Sequence, residues 1–342
     1  MADDPLTDFT REGFDHEGTD HTVLRSGTGP AVVVIAEFPG ITPQVAGFAR
    51  RVRDLGCTVV LPDLFGVAGR DALAGSSLRI AAGGVRTAMQ VCVSREFSLL
   101  ALGRTSPVIP WLRALARHEH QRCGGPGVGA VGMCLTGGFA LAMATDESVL
   151  APVLSQPSLP LPVGRRRSET TDISEEDLAV VEQRCAAGLQ VLGVRFEGDR
   201  LSPGSRFATL RRRLGDAFVG VELPDDSANP DGFGAPHSVL TTHLVDREGE
   251  PTRAALQAYA DGVNAWVEQV NKGALGRGAD GRIPLELTGE GHRREVLVAH
   301  RAVLLPHGGD VVLAARRVRR GGGRGLVLRR RRVATGLAVG GR

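Results

Sequence analysis

The stretch that decides the fold is Val128-Gly129-Ala130-Val131-Gly132-Met133-Cys134-Leu135-Thr136-Gly137-Gly138. Its first six residues read as a short apolar strand, and Gly138 to Ala144 reads as a helix of small residues. A strand that passes through a sharp turn into a helix pushes the residue at the turn out above its sheet. Small neighbours are needed there because the backbone is strained and lies close to adjacent elements. Cys134 occupies that place, and the helix N-terminus beyond it favours an anion, hence a thiolate.

Working outward, the same strand and helix alternation recurs. Ala31 to Ala36, AVVVIA, is continuous and β-branched, as a strand covered on both faces must be. A helix over Val45–Leu55 follows, then a second buried strand, Thr58–Leu61, that stops at Pro62. After the Cys134 turn come a helix near Glu175–Ala187, a strand over Gln190–Phe196, a helix near Ser205–Leu214 and a strand over Ala217–Leu223. Leu256, Tyr259, Val263, Trp266 and Val270 recur at helical spacing, predicting a last helix from Pro251 to Val270. Such alternation specifies an α/β fold with a mostly parallel sheet and helices on both faces. Leu64 to Gln121 breaks the pattern and reads as an insertion or helical excursion, with WLRALARHEH as a helix inside it.

Ligands of parallel sheets sit at the carboxyl ends of the strands. Two further chemistry-bearing residues fall at such ends. Asp199 follows VLGVRF, placed where a loop carboxylate can orient a histidine; taken alone it reads first as a solvated turn or helix-capping Asp. His237 lies after the next strand, in Ala235-Pro236-His237-Ser238, with His243 near enough to compete.

Of 342 residues 42% are hydrophobic and 23% charged, with a net charge of +3, enough for a sizeable core and far from the composition of a disordered chain. The charge is unevenly placed. Residues 273–342 hold 15 arginines and 5 acidic residues, a net of +10, so residues 1–272 carry −7. The expected organisation is a folded domain over 1–272 and an Arg/Gly-rich, disordered extension over 273–342, or a tail produced by a shifted reading frame. Its runs Arg329–Arg332 and Arg316-Arg317-Val318-Arg319-Arg320 could attract nucleic acid, but no aromatic platform, zinc spacing or helix-turn-helix pattern stands beside them, so nucleic acid is not an expected partner.

The five cysteines, Cys57, Cys92, Cys123, Cys134 and Cys185, are odd in number and have no CxxC spacing, which argues against a disulfide framework or zinc ribbon. His118 and His120 flank Glu119, but residues two apart on a helix diverge, so this run reads as an exposed helix face. Gly124–Gly129 and Gly321–Gly325 lack the features of phosphate loops. The acidic opening, MADDPLTDFT, and the absence of a long apolar run lead to the expectation of a cytoplasmic protein without a membrane partner.

The order nucleophile, acid, histidine is that of the α/β-hydrolase fold. Within it the sequence resembles the dienelactone hydrolase family from about Val32 to Val270. The resemblance is carried by Ala36-Glu37-Phe38-Pro39-Gly40, Leu61-Pro62-Asp63-Leu64-Phe65-Gly66, the Gly132–Gly138 turn, Gly198-Asp199 with Pro203, and the His237 loop, and by Cys in place of the commoner Ser. It implies Cys134 as nucleophile, His237 as general base and acid, Asp199 as its orienting carboxylate, and Glu37 as the group that handles the thiol proton. The backbone N–H groups of Leu135 and Phe38 would form the oxyanion hole. The implied reaction is hydrolysis of a small ester or lactone through a thioacyl-enzyme, with no cofactor and no metal. Arg86, Arg95 and Arg104 are candidates for a substrate carboxylate, though in a chain this rich in arginine each reads first as a surface residue. One departure stands out: Thr136 replaces the glycine common two positions after the nucleophile. An inactive binding or regulatory relative, and acyl transfer to an acceptor other than water, are the alternative readings.

Overall fold

A computed structural model describes residues 2–71 and 103–257. Eight strands form one sheet in the order β1-β2-β4-β3-β5-β6-β7-β8. They are β1 (Thr10–His16), β2 (Thr19–Ser26), β3 (Ala31–Ile35), β4 (Thr58–Pro62), β5 (Val128–Met133), β6 (Val149–Ser155), β7 (Val191–Phe196) and β8 (Phe218–Leu223). The β1–β2 and β2–β4 pairs are antiparallel, and every pairing from β4 through β3 to β8 is parallel. This is the order and sense of an α/β-hydrolase sheet. The helices are α1 (Pro43–Asp54), α2 (Ile109–Cys123), α3 (Gly137–Met143), α4 (Arg165–Ser168), α5 (Glu175–Ala186) and α6 (Gly204–Leu214). No helix among the described residues is long and apolar enough to cross a membrane.

Every residue of β3, β4 and β5 is buried, which their unbroken apolar sequences require. Side chains of a strand alternate between faces. Val33 and Ile35 accordingly join one core with Leu112, Leu115, Phe139 and Phe207, from α2, α3 and α6. Val32 and Val34 join the other, with Val45, Phe48 and Val52 from α1. Local signals fix the helix starts. Thr42 accepts the Val45 N–H at 3.3 Å ahead of Pro43, and Ser174 accepts the Asp177 N–H at 3.1 Å ahead of three acidic residues.

Three features depart from the sequence reading. The strands β1 and β2 pair polar, half-exposed segments that carry little apolar pattern, and β6 contains Pro152. That proline sits beside a register shift against Val128 and Gly129, a place where a sheet tolerates a missing N–H. Glu119 is not on an exposed face: it is fully buried, and its Oε1 accepts from Arg25 Nε at 2.8 Å and Nη2 at 2.5 Å. The helix expected from Pro251 begins there and is described to Gln257. Its remainder, the 273–342 extension, Cys92, Arg86, Arg95 and most of the Leu64–Gln121 excursion lie outside the described residues. WLRALARHEH forms part of α2, and Arg104 is exposed.

The segment from Pro157 to Ile173 lies over the start of α3 and is fixed from beneath. Arg206, fully buried, donates to the carbonyls of Pro157 (2.5 Å), Pro160 (2.7 Å), Thr170 (2.7 Å) and Arg167 (3.0 Å). Burial holds its pKa down to about 10, against the pull of Asp172 and Asp199. Asp172 packs against Gly138 and accepts from Ser106 Oγ at 2.6 Å, while its Oδ1 has no hydrogen bond among the described residues. Burial pushes its carboxyl up to about 7 from an ordinary 3.8, and Ser106 and Arg206 offset only part of that. A carboxyl whose folded pKa is raised favours folding fully below its ordinary value, and that advantage is lost as pH rises toward 7. Asp172→Asn removes the penalty. It should stabilise the protein at pH 8 by about 1–4 kcal/mol and leave it nearly unchanged at pH 4, measured by urea unfolding at the two pH values. Equal stability of the two proteins at pH 8 would contradict this.

Candidate active site

The turn after β5 has a conformation that side chains avoid: Cys134 has φ of 52°, in the left-handed region. A non-glycine residue held there costs about 1–3 kcal/mol and persists only where its surroundings enforce it. Two close approaches do so. A methyl group on Gly132 would overlap the carbonyl oxygen of Thr136, and one on Gly137 would lie 2.5 Å from Pro157 Cα. Ser158 N–H donates to the Cys134 carbonyl at 2.8 Å. Cys134 remains 8% exposed at the carboxyl edge of the sheet, at the end of β5, which lies between β3 and β6.

Asp199 stands on the tight turn after β7. Its Oδ1 accepts from the N–H groups of Leu201 (2.9 Å) and Ser202 (3.2 Å), leaving Oδ2 to accept from Nδ1 of His237 at 2.7 Å. The turn is pinned by Arg195, a buried residue on β7. Its Nε donates to the Ser202 carbonyl (2.6 Å), its Nη2 to the Glu197 carbonyl (2.7 Å), and its Nη1 to Glu222. One guanidinium thus ties both ends of the Asp199 turn to β8, a use of its fixed fork that lysine could not reproduce.

His237 is carried by the long loop after β8. With Nδ1–H engaged by Asp199, Nε2 is the nitrogen left for chemistry. It has no hydrogen bond of good geometry among the described residues, yet the Cys134 thiol is close enough to act on it. Burial pushes the imidazole pKa down. The charge of a Cys134 thiolate, the Asp199 bond and the Cys134 contact outweigh burial, so His237 ends well above its ordinary value of 6.5.

The competitor, His243, has another part. It is buried, and its Nδ1 accepts from the N–H groups of Ser238 (3.2 Å) and His237 (3.4 Å), while its ring stacks edge-on with Phe196. Burial and the neighbouring His237 lower its pKa, which suits a ring nitrogen that must accept two backbone donors. Its own carbonyl accepts from Asn229 N–H at 3.0 Å, closing the loop on itself.

Glu37, on the turn after β3, is buried and faces the same loop. Its carboxylate accepts from Ser238 Oγ at 2.7 Å, from Gln156 Nε2 at 3.0 Å and from Thr241 Oγ1. Gln156 in turn accepts from Val239 N–H at 3.3 Å and from Ser155 Oγ. The ends of β3 and β6 and the histidine loop are therefore joined through one buried network. Leu135 and Phe38, whose amides were the expected oxyanion donors, sit on the two turns that flank Cys134, and both side chains are partly buried.

The structure thus places Cys134, Asp199 and His237 on the segments that follow β5, β7 and β8 at one edge of the sheet and binds Glu37 to the histidine loop rather than to the thiol. Sequence reading missed Arg195, Gln156, Ser238 and Thr241. A buried arginine on an apolar strand, VLGVRF, is the one signal that was there to be taken. No group of three or more His, Cys, Asp or Glu residues among those described is arranged to hold a metal ion.

Residues 21–173 match the dienelactone hydrolase family. Among solved structures, a protein of Klebsiella pneumoniae subsp. pneumoniae, provisionally named a dienelactone hydrolase, is similar at 16% identity over 76% of this chain and 98% of its own, with a TM-score of 0.47. A dienelactone hydrolase-like promiscuous phosphotriesterase, P91, from metagenomic libraries is similar at 18% identity over 77% and 98%, with a TM-score of 0.45. Brefeldin A esterase, a bacterial homologue of human hormone-sensitive lipase, is similar at 14% identity over 80% and 81%, with a TM-score of 0.42. No curated protein matches the sequence.

The His237 geometry has a direct spectroscopic consequence. In an NMR titration its ring should stay protonated well above pH 6.5, and Cys134→Ala should move the midpoint down, because the thiolate that raises it is gone. An unchanged midpoint in the variant would separate the two residues.

Proposed function

We propose that this dienelactone hydrolase family member, matched to the family over residues 21–173, cleaves a small carboxylic ester or lactone with Cys134 as nucleophile. The observation that carries the reading is the left-handed Cys134 beside a histidine that is anchored on Asp199 at 2.7 Å. A nucleophile, a base within reach and a third group that orients the base are what acyl transfer requires.

In this reading the thiol proton of Cys134 passes to Nε2 of His237, so that the attacking pair is a thiolate facing an imidazolium. The sulfur attacks the ester carbonyl carbon and the π electrons move to the oxygen. The N–H groups of Leu135 and Phe38 receive the developing charge. As the tetrahedral species collapses, the C–O bond breaks and His237 gives its proton to the leaving alkoxide. A thioacyl-enzyme remains. Neutral His237 then takes a proton from water, the resulting hydroxide adds to the thioester carbonyl, and collapse releases the carboxylic acid and returns the thiolate. Asp199 keeps Nδ1 protonated, so Nε2 is always the nitrogen that exchanges protons. With a lactone the alcohol product stays attached to the acyl group until deacylation. The sequence draws only on water and needs no cofactor.

Glu37 would have to give up a bond from Ser238 or Thr241 to reach the thiol. We therefore assign it to holding the histidine loop.

The test is turnover of p-nitrophenyl acetate and of a small lactone. Wild-type protein should hydrolyse both, and Cys134→Ala should fall to the buffer rate. Asp199→Asn should lose on the order of 10⁴-fold in kcat, as expected when a histidine is held in the wrong tautomer. Full activity in the Cys134 variant would remove the mechanism, and an inactive wild type whose Cys134 resists a thiol-directed ester probe would favour a binding protein on the same fold.

A further inference from the structure

The strands β3 and β5 run side by side until Ile35 pairs with Gly132, and there the ladder ends. Beyond it one chain enters the turn that carries Glu37 and Phe38, and the other the turn that carries Cys134 and Leu135. Backbone pairing no longer relates the two. At that fork lies the hydroxyl of Thr136, fully buried. It accepts from Met133 N–H at 3.0 Å and has the carbonyl oxygens of Ile35 (2.9 Å), Met133 (2.9 Å) and Ala36 (3.2 Å) around its single proton.

Resting on the hydrolase reading above, we propose that the Thr136 hydroxyl is a positioning residue that sets the spacing between the two halves of the oxyanion hole. Met133 directly precedes the Cys134–Leu135 turn, and Ala36 is two residues from Phe38. One oxygen therefore holds the backbones from which both N–H donors project, continuing by side chain a ladder that the main chain has abandoned. An oxyanion hole works only when its donors lie about 2.7–3.1 Å from the developing charge, so small displacements of one turn against the other are felt in the rate. A glycine at this place leaves the relation of the two turns to the backbone alone, whereas in this chain the threonine also accepts from the buried Met133 N–H.

The test separates the hole from the nucleophile. Thr136→Val keeps the shape and removes the hydroxyl, Thr136→Ala removes it with less crowding should the valine variant not fold, and Thr136→Ser restores it. Three rates are measured on each folded protein: ester hydrolysis, alkylation of Cys134 by iodoacetamide, and inhibition by an aldehyde analogue of the ester, whose adduct with the thiol places an oxygen in the same hole. Thr136→Val and Thr136→Ala should lose about 10²–10³-fold in kcat, the effect of one misplaced oxyanion donor, and a comparable factor in aldehyde affinity. Alkylation, which generates no oxyanion, should change by no more than about twofold, and Thr136→Ser should recover most of the loss.

Hydrolysis within about threefold of wild type in both hydroxyl-free variants overturns the proposal, and so does hydrolysis falling in step with alkylation, since the residue would then merely support the turn. Failure of the parent reading looks different: wild-type protein would show no hydrolysis, or Cys134→Ala would retain it, and the proposal would fall with it.

Discussion

The upper edge of this sheet depends on whether the chain can turn at Cys134. The left-handed residue is accommodated because two nearby positions have no side chains: Gly132 touches the Thr136 carbonyl and Gly137 touches Pro157. The same turn fixes the start of α3, and α3 fixes what can pack over it. Asp172 rests on Gly138, and the segment from Pro157 to Ile173 is held against that start by the four carbonyl bonds of Arg206. The strain at one residue is thus maintained by a buried cation about seventy positions away in sequence. Such a cation is tolerable because its N–H groups are taken up by four carbonyl oxygens of the segment it supports.

A second principle governs the loops that bear Asp199 and His237. Loops at a strand edge have few backbone bonds of their own, so geometry must be imposed by side chains. Arg195 clamps the acid turn at two carbonyls, Glu37 and Gln156 gather the histidine loop, and Thr136 joins the turns after β3 and β5. All four are buried, where a satisfied polar group rigidifies and an unsatisfied one is costly. Polar residues inside this domain are therefore concentrated where regular secondary structure stops. Arg25 and Glu119, buried against each other far from this edge, are the exception.

How much of this was legible in the sequence follows from the same division. The strands β3, β4 and β5 announce themselves because a parallel strand covered on both faces must be apolar throughout, and β7 and β8 are legible as mostly apolar runs interrupted only by Arg195 and Glu222. The turn at Cys134 announces itself because glycine is needed where backbones touch. By contrast, β1 and β2 are antiparallel, partly wetted and written in polar residues such as Thr10-Arg11-Glu12 and Thr19-Asp20-His21, which no apolar period reveals. The strand β6 was hidden by Pro152, and the bulge that makes the proline acceptable exists only once β5 lies beside it. Glu119 read as exposed because a helix face was judged from its neighbours His118 and His120, while its partner, Arg25, is 94 positions away. Thr136 was visible as a departure, but whether its hydroxyl would weaken the turn or brace it depends on where Ile35 and Ala36 end.

The two histidines of the loop after β8 show why spacing alone could not have chosen between them. His243 is buried and His237 half-buried, both belong to one irregular segment, and desolvation pushes both toward the neutral form. What differs is the sign of the groups they meet. His237 meets a carboxylate and a thiol that can each be negative, so the charged form wins. His243 meets two backbone N–H donors, and burial and the charge of His237 outweigh the pull of Gly234 and Asp199, so its pKa is lowered. A neutral His243 keeps the peptide between residues 237 and 238 oriented so that the His237 ring can span Asp199 and Cys134, and the charge on His237 keeps a second proton off His243. Acid strong enough to protonate His243 would set an N–H against two N–H donors and open the loop. The loop thus carries a proton donor on a ring whose own support depends on remaining unprotonated, and a substitution that only exchanged the two roles would satisfy neither environment.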